Sequence, residues 1–118
     1  MMTTKEAKTH WNRCSHFIGS EECRFGLTDV VSGYIISTCG DYRPSSAKGE
    51  RVDIGYQRAF ETMVFHDSGR RCQEPMCPCG GIPLADDFRE LDFDGYQSED
   101  EARKGHARMV EKYRMISS

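Results

Sequence analysis

The sequence predicts an α+β domain: a small antiparallel sheet with one C-terminal helix packed across it. Three observations lead there. Val30 to Thr38 (VVSGYIIST) and Arg58 to His66 (RAFETMVFH) are rich in β-branched and aromatic residues, the composition of strands. Ala102, His106, Met109, Val110 and Tyr113 recur at helical spacing. Ser98 stands three residues ahead of Glu101, which is the signature of a capping box. Strands followed by one amphipathic helix pack as two layers.

The elements follow in order. Residues 1–16 support a brief helix at most, with Thr4 placed to cap it and Ala7 and Trp11 on one face. A polar, cysteine-bearing stretch runs on to Leu27. We therefore divide the chain into a cysteine- and histidine-bearing N-terminal arm, 1–29, and a sheet-plus-helix unit, 30–118, within one compact domain. Val30 to Thr38 is the first expected strand. Residues 40–50 (GDYRPSSAKGE) carry the Gly, Pro and Ser of a loop. In the second strand apolar residues fall on both faces, Phe60 and Val64 against Met63 and Phe65, so a central place in the sheet is expected. A third strand is expected from Phe88 to Phe93 through Leu91, with Asp94-Gly95 as a turn. The helix then runs from about Glu99 to Met115. Gly105 inside it costs roughly 1 kcal/mol relative to alanine, which points to a close approach of helix and sheet.

Composition bounds the function classes. Of 118 residues, 37% are hydrophobic and 30% charged, so the core is modest and a staple is favoured. A net charge of −3 excludes a generic nucleic-acid binder. The charge is uneven. Residues 86–101 hold eight acids against Arg89, and residues 102–118 hold five bases against Glu111. Acids before a helix and bases towards its end complement the helix dipole. The same segment is also a candidate acidic patch for a basic partner, with Asp92, Asp94 and Asp100 as its contact residues. Trp11, the one tryptophan, is a candidate anchor onto the domain or a partner. No apolar run approaches the ~20 residues that span a bilayer, and MMTTKEAKTHWNRCSH lacks the core of a signal peptide. The expected location is the cytoplasm, away from membranes.

Cysteine placement is the most informative local feature. Cys72, Cys77 and Cys79 fall within eight residues, bracketed by Pro75, Pro78, Gly80 and Gly81. Proline and glycine shape a turn that aims sulfur at one point. Reduced cytoplasmic thiols in such a knuckle favour a structural zinc ion. Cys14 and Cys23 can join Cys77 and Cys79 in a long-range site that clamps the arm to the sheet. His66 with Cys72, Cys77 and Cys79 is the local solution. Cys39, His10 and His16 are alternates. The competing reading is reduced cysteines packed as small hydrophobes.

Three further stretches, ETMVF at 61–65, ELD at 90–92 followed by Tyr96, and EARKGHARMV at 101–110, come in a recognisable order. They resemble a family of short, mostly uncharacterised proteins of tailed bacteriophages and prophage-bearing bacteria. The likeness covers roughly residues 30–116, without the cysteine-bearing N-terminus and the knuckle. It implies a sheet-plus-helix unit of phage or prophage origin, located in the host cytoplasm, and draws attention to Glu61, Thr62 and His106. It implies no reaction.

No coherent catalytic set stands out. The leading expectation is a non-enzymatic, zinc-stapled phage-type module that binds a host or phage macromolecule, inhibition of a host defence system being one form. The alternatives are a small-molecule binder or small enzyme, with a site where His106 meets Glu61 or Thr62, and a zinc-containing nucleic-acid module using the helix bases.

Overall fold

The computed structural model describes residues 5–6, 23–73, 75, 81, 83–86 and 89–116. Strand β2 (Cys23–Val31) and strand β3 (Tyr34–Tyr42) form a hairpin. Ser32 and Gly33 join them at φ 54° and 82°, the left-handed pair that a two-residue hairpin turn requires. The strand expected over Val30–Thr38 is thereby corrected. That run holds the end of one strand, a turn and the start of the next. β-Branched residues flank Ser32-Gly33 on both sides, so composition reads straight through the break. The polar stretch before it is strand as well, and the boundary drawn after residue 29 falls inside β2. A short β1 (Lys5–Glu6) pairs with Leu27 and Thr28 on the outer side of β2.

Strand β4 (Phe60–Arg71) is central, as its two-faced apolar pattern predicts. It pairs antiparallel with β3 on one side. On the other side β6 (Asp92–Tyr96) covers its first half and β5 (Pro83–Ala85) its second. The third expected strand is thus displaced: Asp94 and Gly95 are not a turn but pair with Thr62 and Glu61. Their turn chemistry is used differently. Asp92 Oδ1 accepts the Phe93 N–H and Asp94 Oδ1 accepts the Gly95 N–H, both at 2.9 Å. Aspartate side chains satisfy these two amides while the strand stays extended, a means of blunting a sheet edge. Phe88 lies outside the described residues.

Helix α1 (Glu99–Ile116) begins where the capping box places it. Ser98 Oγ accepts the Glu101 N–H at 3.1 Å and lies 3.2 Å from its carboxylate. The predicted stripe of Ala102, His106, Met109, Val110 and Tyr113 is buried. Gly105 is buried with it, and a Cβ there would overlap the Tyr96 ring. The opposite face of the sheet is buried too, at Ile35, Ser37 and Phe65.

Two apolar clusters lie between helix and sheet. One holds Phe25, Leu27, Ala59, Phe60, Tyr96 and Ala102. The other holds Val31, Ile36, Val64, Met109, Val110 and Tyr113. Every element that runs through both changes polarity midway. On β2 the order is Leu27, Asp29, Val31; on β4 it is Phe60, Thr62, Val64; on α1 it is Ala102, His106, Met109. Thr38 takes the same level on β3, opposite Thr62.

Gly105→Ala is an informative substitution. In an exposed helix it stabilises by about 1 kcal/mol. Here the added methyl meets the Tyr96 ring, so we expect a loss of roughly 1–3 kcal/mol by urea denaturation. A variant more stable than the parent would contradict the close approach.

Candidate functional site

The polar level between the two clusters is the densest set of chemically capable side chains among the described residues. His106 Nε2 lies 2.7 Å from Asp29 Oδ2. His106 Nδ1 lies 2.6 Å from Thr38 Oγ1. Thr38 Oγ1 lies 2.5 Å from Thr62 Oγ1, and the Tyr96 hydroxyl donates to Thr62 Oγ1 at 3.1 Å. Four strands and the helix meet in this chain.

Counting protons gives the chain a direction. A carboxylate only accepts, so the Asp29 contact takes the proton on Nε2. In the neutral ring Nδ1 then accepts the Thr38 hydroxyl. Thr38 accepts from Thr62, and Thr62 accepts from Tyr96. Each hydroxyl of the two threonines donates once and accepts once. A charged imidazole carries a second proton on Nδ1, which reverses the Thr38 bond: Thr38 Oγ1 then accepts from His106, and one threonine hydroxyl proton must turn to an acceptor outside this chain. Burial lowers the His106 pKa from its ordinary value, while the bond and charge of Asp29 act in the opposite sense. Burial likewise raises that of Tyr96.

Aspartate, histidine and a hydroxyl in sequence have the form of a nucleophilic triad. Access decides against that use. Thr38 and Thr62 are 0% exposed, and both nitrogens of His106 are engaged. A groove of about 600 Å³ runs between β2 and α1, lined by Leu27, Asp29, Arg103, His106, Ala107, Val110, Glu111 and Arg114. It reaches the Asp29 end of the chain and not its hydroxyls.

Of the residues singled out by sequence, Thr62 is one hydroxyl removed from His106. Glu61 is not brought to it. Alternation turns Glu61 to the other face, where its carboxylate lies 3.0 Å from Arg58 Nε. Burial raises the Glu61 pKa, against the lowering effect of Arg58. Asp29, Thr38 and Tyr96 were missed. The available signal was a charged residue at an inward position of the pattern Phe25, Leu27, Asp29, Val31.

The acidic candidates are engaged within the chain. Asp92 holds Lys112 Nζ at 2.6 Å and the Tyr113 hydroxyl at 3.0 Å. The Lys112 bond lowers the Asp92 pKa, and burial beside Asp92 pushes Tyr113 up to about 12. Asp94 accepts its neighbouring amide, and Asp100 lies 3.1 Å from Lys104. The helix bases are similarly matched: Arg103 with Glu99, Lys112 with Asp92, and Arg114 with Glu111.

Of the metal candidates, Cys23 is buried on β2, and Cys39 on β3 and Cys72 just after β4 are half-buried. Cys39 shares a side-chain hydrogen bond with Cys23, which together with burial raises its pKa well above the ordinary value. His66 is exposed on β4 and stacks on Tyr34 at 5.4 Å. Cys14, Cys77, Cys79, His10, His16 and Trp11 lie outside the described residues. Among the described residues no three His, Cys, Asp or Glu side chains gather as a metal shell, and no helix is long and apolar enough to cross a membrane.

No protein-family model, curated protein or solved structure matches the chain. The likeness to short phage proteins therefore stands on the three motifs alone.

Two outcomes follow from the hydrogen-bond chain. Thr38→Val keeps the shape and removes the hydroxyl, leaving buried partners unmet; we expect a loss of about 1–3 kcal/mol in chemical denaturation. Thr38→Val/Thr62→Val should cost less than the sum of the single changes, and strict additivity would contradict a shared network. The pH dependence has a fixed sign. The unfolded histidine titrates near 6.5 and the folded one lower. Its stabilising contribution is full above about pH 6.5 and is lost as pH falls towards the folded value, because the unfolded state binds the proton first. Urea midpoints should fall between pH 7 and the carboxylate range, and His106→Gln should flatten that slope.

Proposed function

We propose that this protein works by contact and not by catalysis: a small phage-type accessory module, stapled by zinc, that binds a host or phage protein in the host cytoplasm. Blocking a host defence complex is one form of that activity. The observation that carries the reading is the burial of the hydroxyl end of the Asp29–His106–Thr38 chain. A hydroxyl with no exposed surface and a histidine with both nitrogens occupied serve the fold.

The exposed side chains support a contact surface elsewhere. Tyr56 is 84% exposed at the tip of a tight turn closed by Arg58 N–H to Gly55 O, 3.1 Å. Gln97 Nε2 fastens that turn by donating to Gln57 O at 2.7 Å. The Arg58 guanidinium lies over the half-exposed Phe93 ring, 4.9 Å from its centroid. Tyrosine and arginine on a rigid support, beside a second aromatic ring, are the residue types that dominate protein interfaces. The helix bases, matched to acids in four pairs, weigh against the nucleic-acid alternative. The groove beside Asp29 and His106 favours the small-molecule alternative.

A photo-reactive residue at position 56, expressed in a bacterial host, tests the surface. We expect it to cross-link a discrete protein, while the same probe at Lys104 does not. Phe93→Ala should reduce the position-56 adduct severalfold with the fold intact. Equal labelling from both positions would count against this surface.

A further inference from the structure

We infer that Arg58 anchors the contact surface and that its guanidinium receives a carboxylate, the side chain of an aspartate or glutamate of the partner protein. This rests on the contact reading above and supplies the partner's chemistry. That chemistry is the opposite of the one expected from the acidic segment 86–101.

The Arg58 side chain lies in a slot that the neighbouring backbone leaves open. A Cβ at Gly55 would stand 2.5 Å from Arg58 Nη2 and 2.7 Å from Glu61 Oε2, and a Cβ at Gly95 would overlap Arg58 Cδ. Neither glycine has a positive φ, so backbone conformation does not require glycine at either place. The missing side chains make room for one arginine. Gly95 stands opposite Glu61 in the β4–β6 ladder, and Phe93 shares the face of Gly95 by alternation. An arginine laid across Gly95 therefore reaches both neighbours. Its guanidinium lies 4.9 Å from the centre of the Phe93 ring, and its Nε lies 3.0 Å from Glu61 Oε2. The turn that carries it is itself fixed, by the Gly55–Arg58 bridge and by Gln97.

The guanidinium so held keeps donors in reserve. Nε is buried, and its pair with Glu61 balances charge without hydrogen-bond alignment. The side chain as a whole is 33% exposed. The two Nη groups carry the remaining N–H donors, and no described residue accepts from them. This planar fork fits the two oxygens of a carboxylate. Because it is already stacked and oriented, less side-chain entropy is lost on binding. Tyr56 and Phe93 are exposed beside it, and rings in that position keep water from the pair. A single carboxylate suits this place better than a nucleic-acid backbone. Asp94 is exposed between Phe93 and Gly95 and would repel a row of phosphates.

The test extends cross-linking from position 56 of the full chain in the bacterial host. Arg58→Lys keeps the charge and loses the fork, and should lower the adduct severalfold; Arg58→Glu should abolish it. Peptide mapping of the parent adduct gives the partner's acidic residues nearest position 56. Changing one of them to arginine should restore the adduct with Arg58→Glu and weaken it with the parent. Unchanged adducts in both Arg58 variants, or no restoration by any reversal, would overturn the anchor and leave the contact surface standing. A nuclease-sensitive adduct would overturn it in favour of a phosphate. No adduct from the parent would remove both. Should the Arg58 variants fail to fold, the parent serves: N-acetyl-glutamate methylamide should shift the Arg58 side-chain nitrogen signals in NMR, and the glutamine counterpart should not. Equal shifts from both, or none from either, overturn the proposal.

Discussion

The bond between His106 and Asp29 constrains everything packed around it. A buried carboxylate without a partner is costly, so β2 and α1 keep their places only where Asp29 Oδ2 and His106 Nε2 stand 2.7 Å apart. Thr38, Thr62 and Tyr96 extend the same requirement to β3, β4 and β6. The apolar clusters on either side supply most of the driving force. They do not by themselves choose a register, because aliphatic side chains pack in several. A slip of one residue turns every side chain to the wrong face. A slip of two keeps the faces and sets Asp29 or a threonine against hydrocarbon. The polar level excludes that second error, a specificity device of the kind a single buried polar residue provides in coiled coils.

The same level resembles a catalytic triad in its residue types and differs from one in what surrounds it. Catalysis needs a reacting group that substrate can reach. Here the helix lies over the hydroxyls, and Gly105 lets it come close enough to touch Tyr96. Surface charge follows a related economy. Three of the eight acids of 86–101, Asp92, Glu99 and Asp100, pair with helix bases, so part of the charge asymmetry of the sequence is met within the chain. Tyr56 stays exposed on its turn, with Arg58 and Phe93 beside it.

The helix was legible because its signals are local. Ser98, Glu101 and a five-residue stripe fix its start and buried face without reference to anything distant. The central strand was legible for a similar reason, since Phe60, Met63, Val64 and Phe65 are apolar on both faces. The hairpin was read as one strand because Ser32-Gly33 is a weaker mark than Asn-Gly within a long β-branched run. Asp94-Gly95 misled in the other direction: its turn preference yields to tertiary pairing with Thr62 and Glu61. His106 was visible as an oddity on an apolar stripe. Its partners Asp29 and Thr38 lie 77 and 68 residues away in sequence, and no local pattern links them.

Burial lowers the His106 pKa, so at neutral pH the ring is neutral, protonated on Nε2 and held between Asp29 and Thr38. Nitrogen-detected NMR of the imidazole in uniformly labelled protein at neutral pH tests this most directly. We expect one slowly exchanging proton on Nε2 and an unprotonated, hydrogen-bonded Nδ1. A proton on Nδ1, a charged ring, or rapid exchange with water would contradict the sealed chain and reopen the site to chemistry.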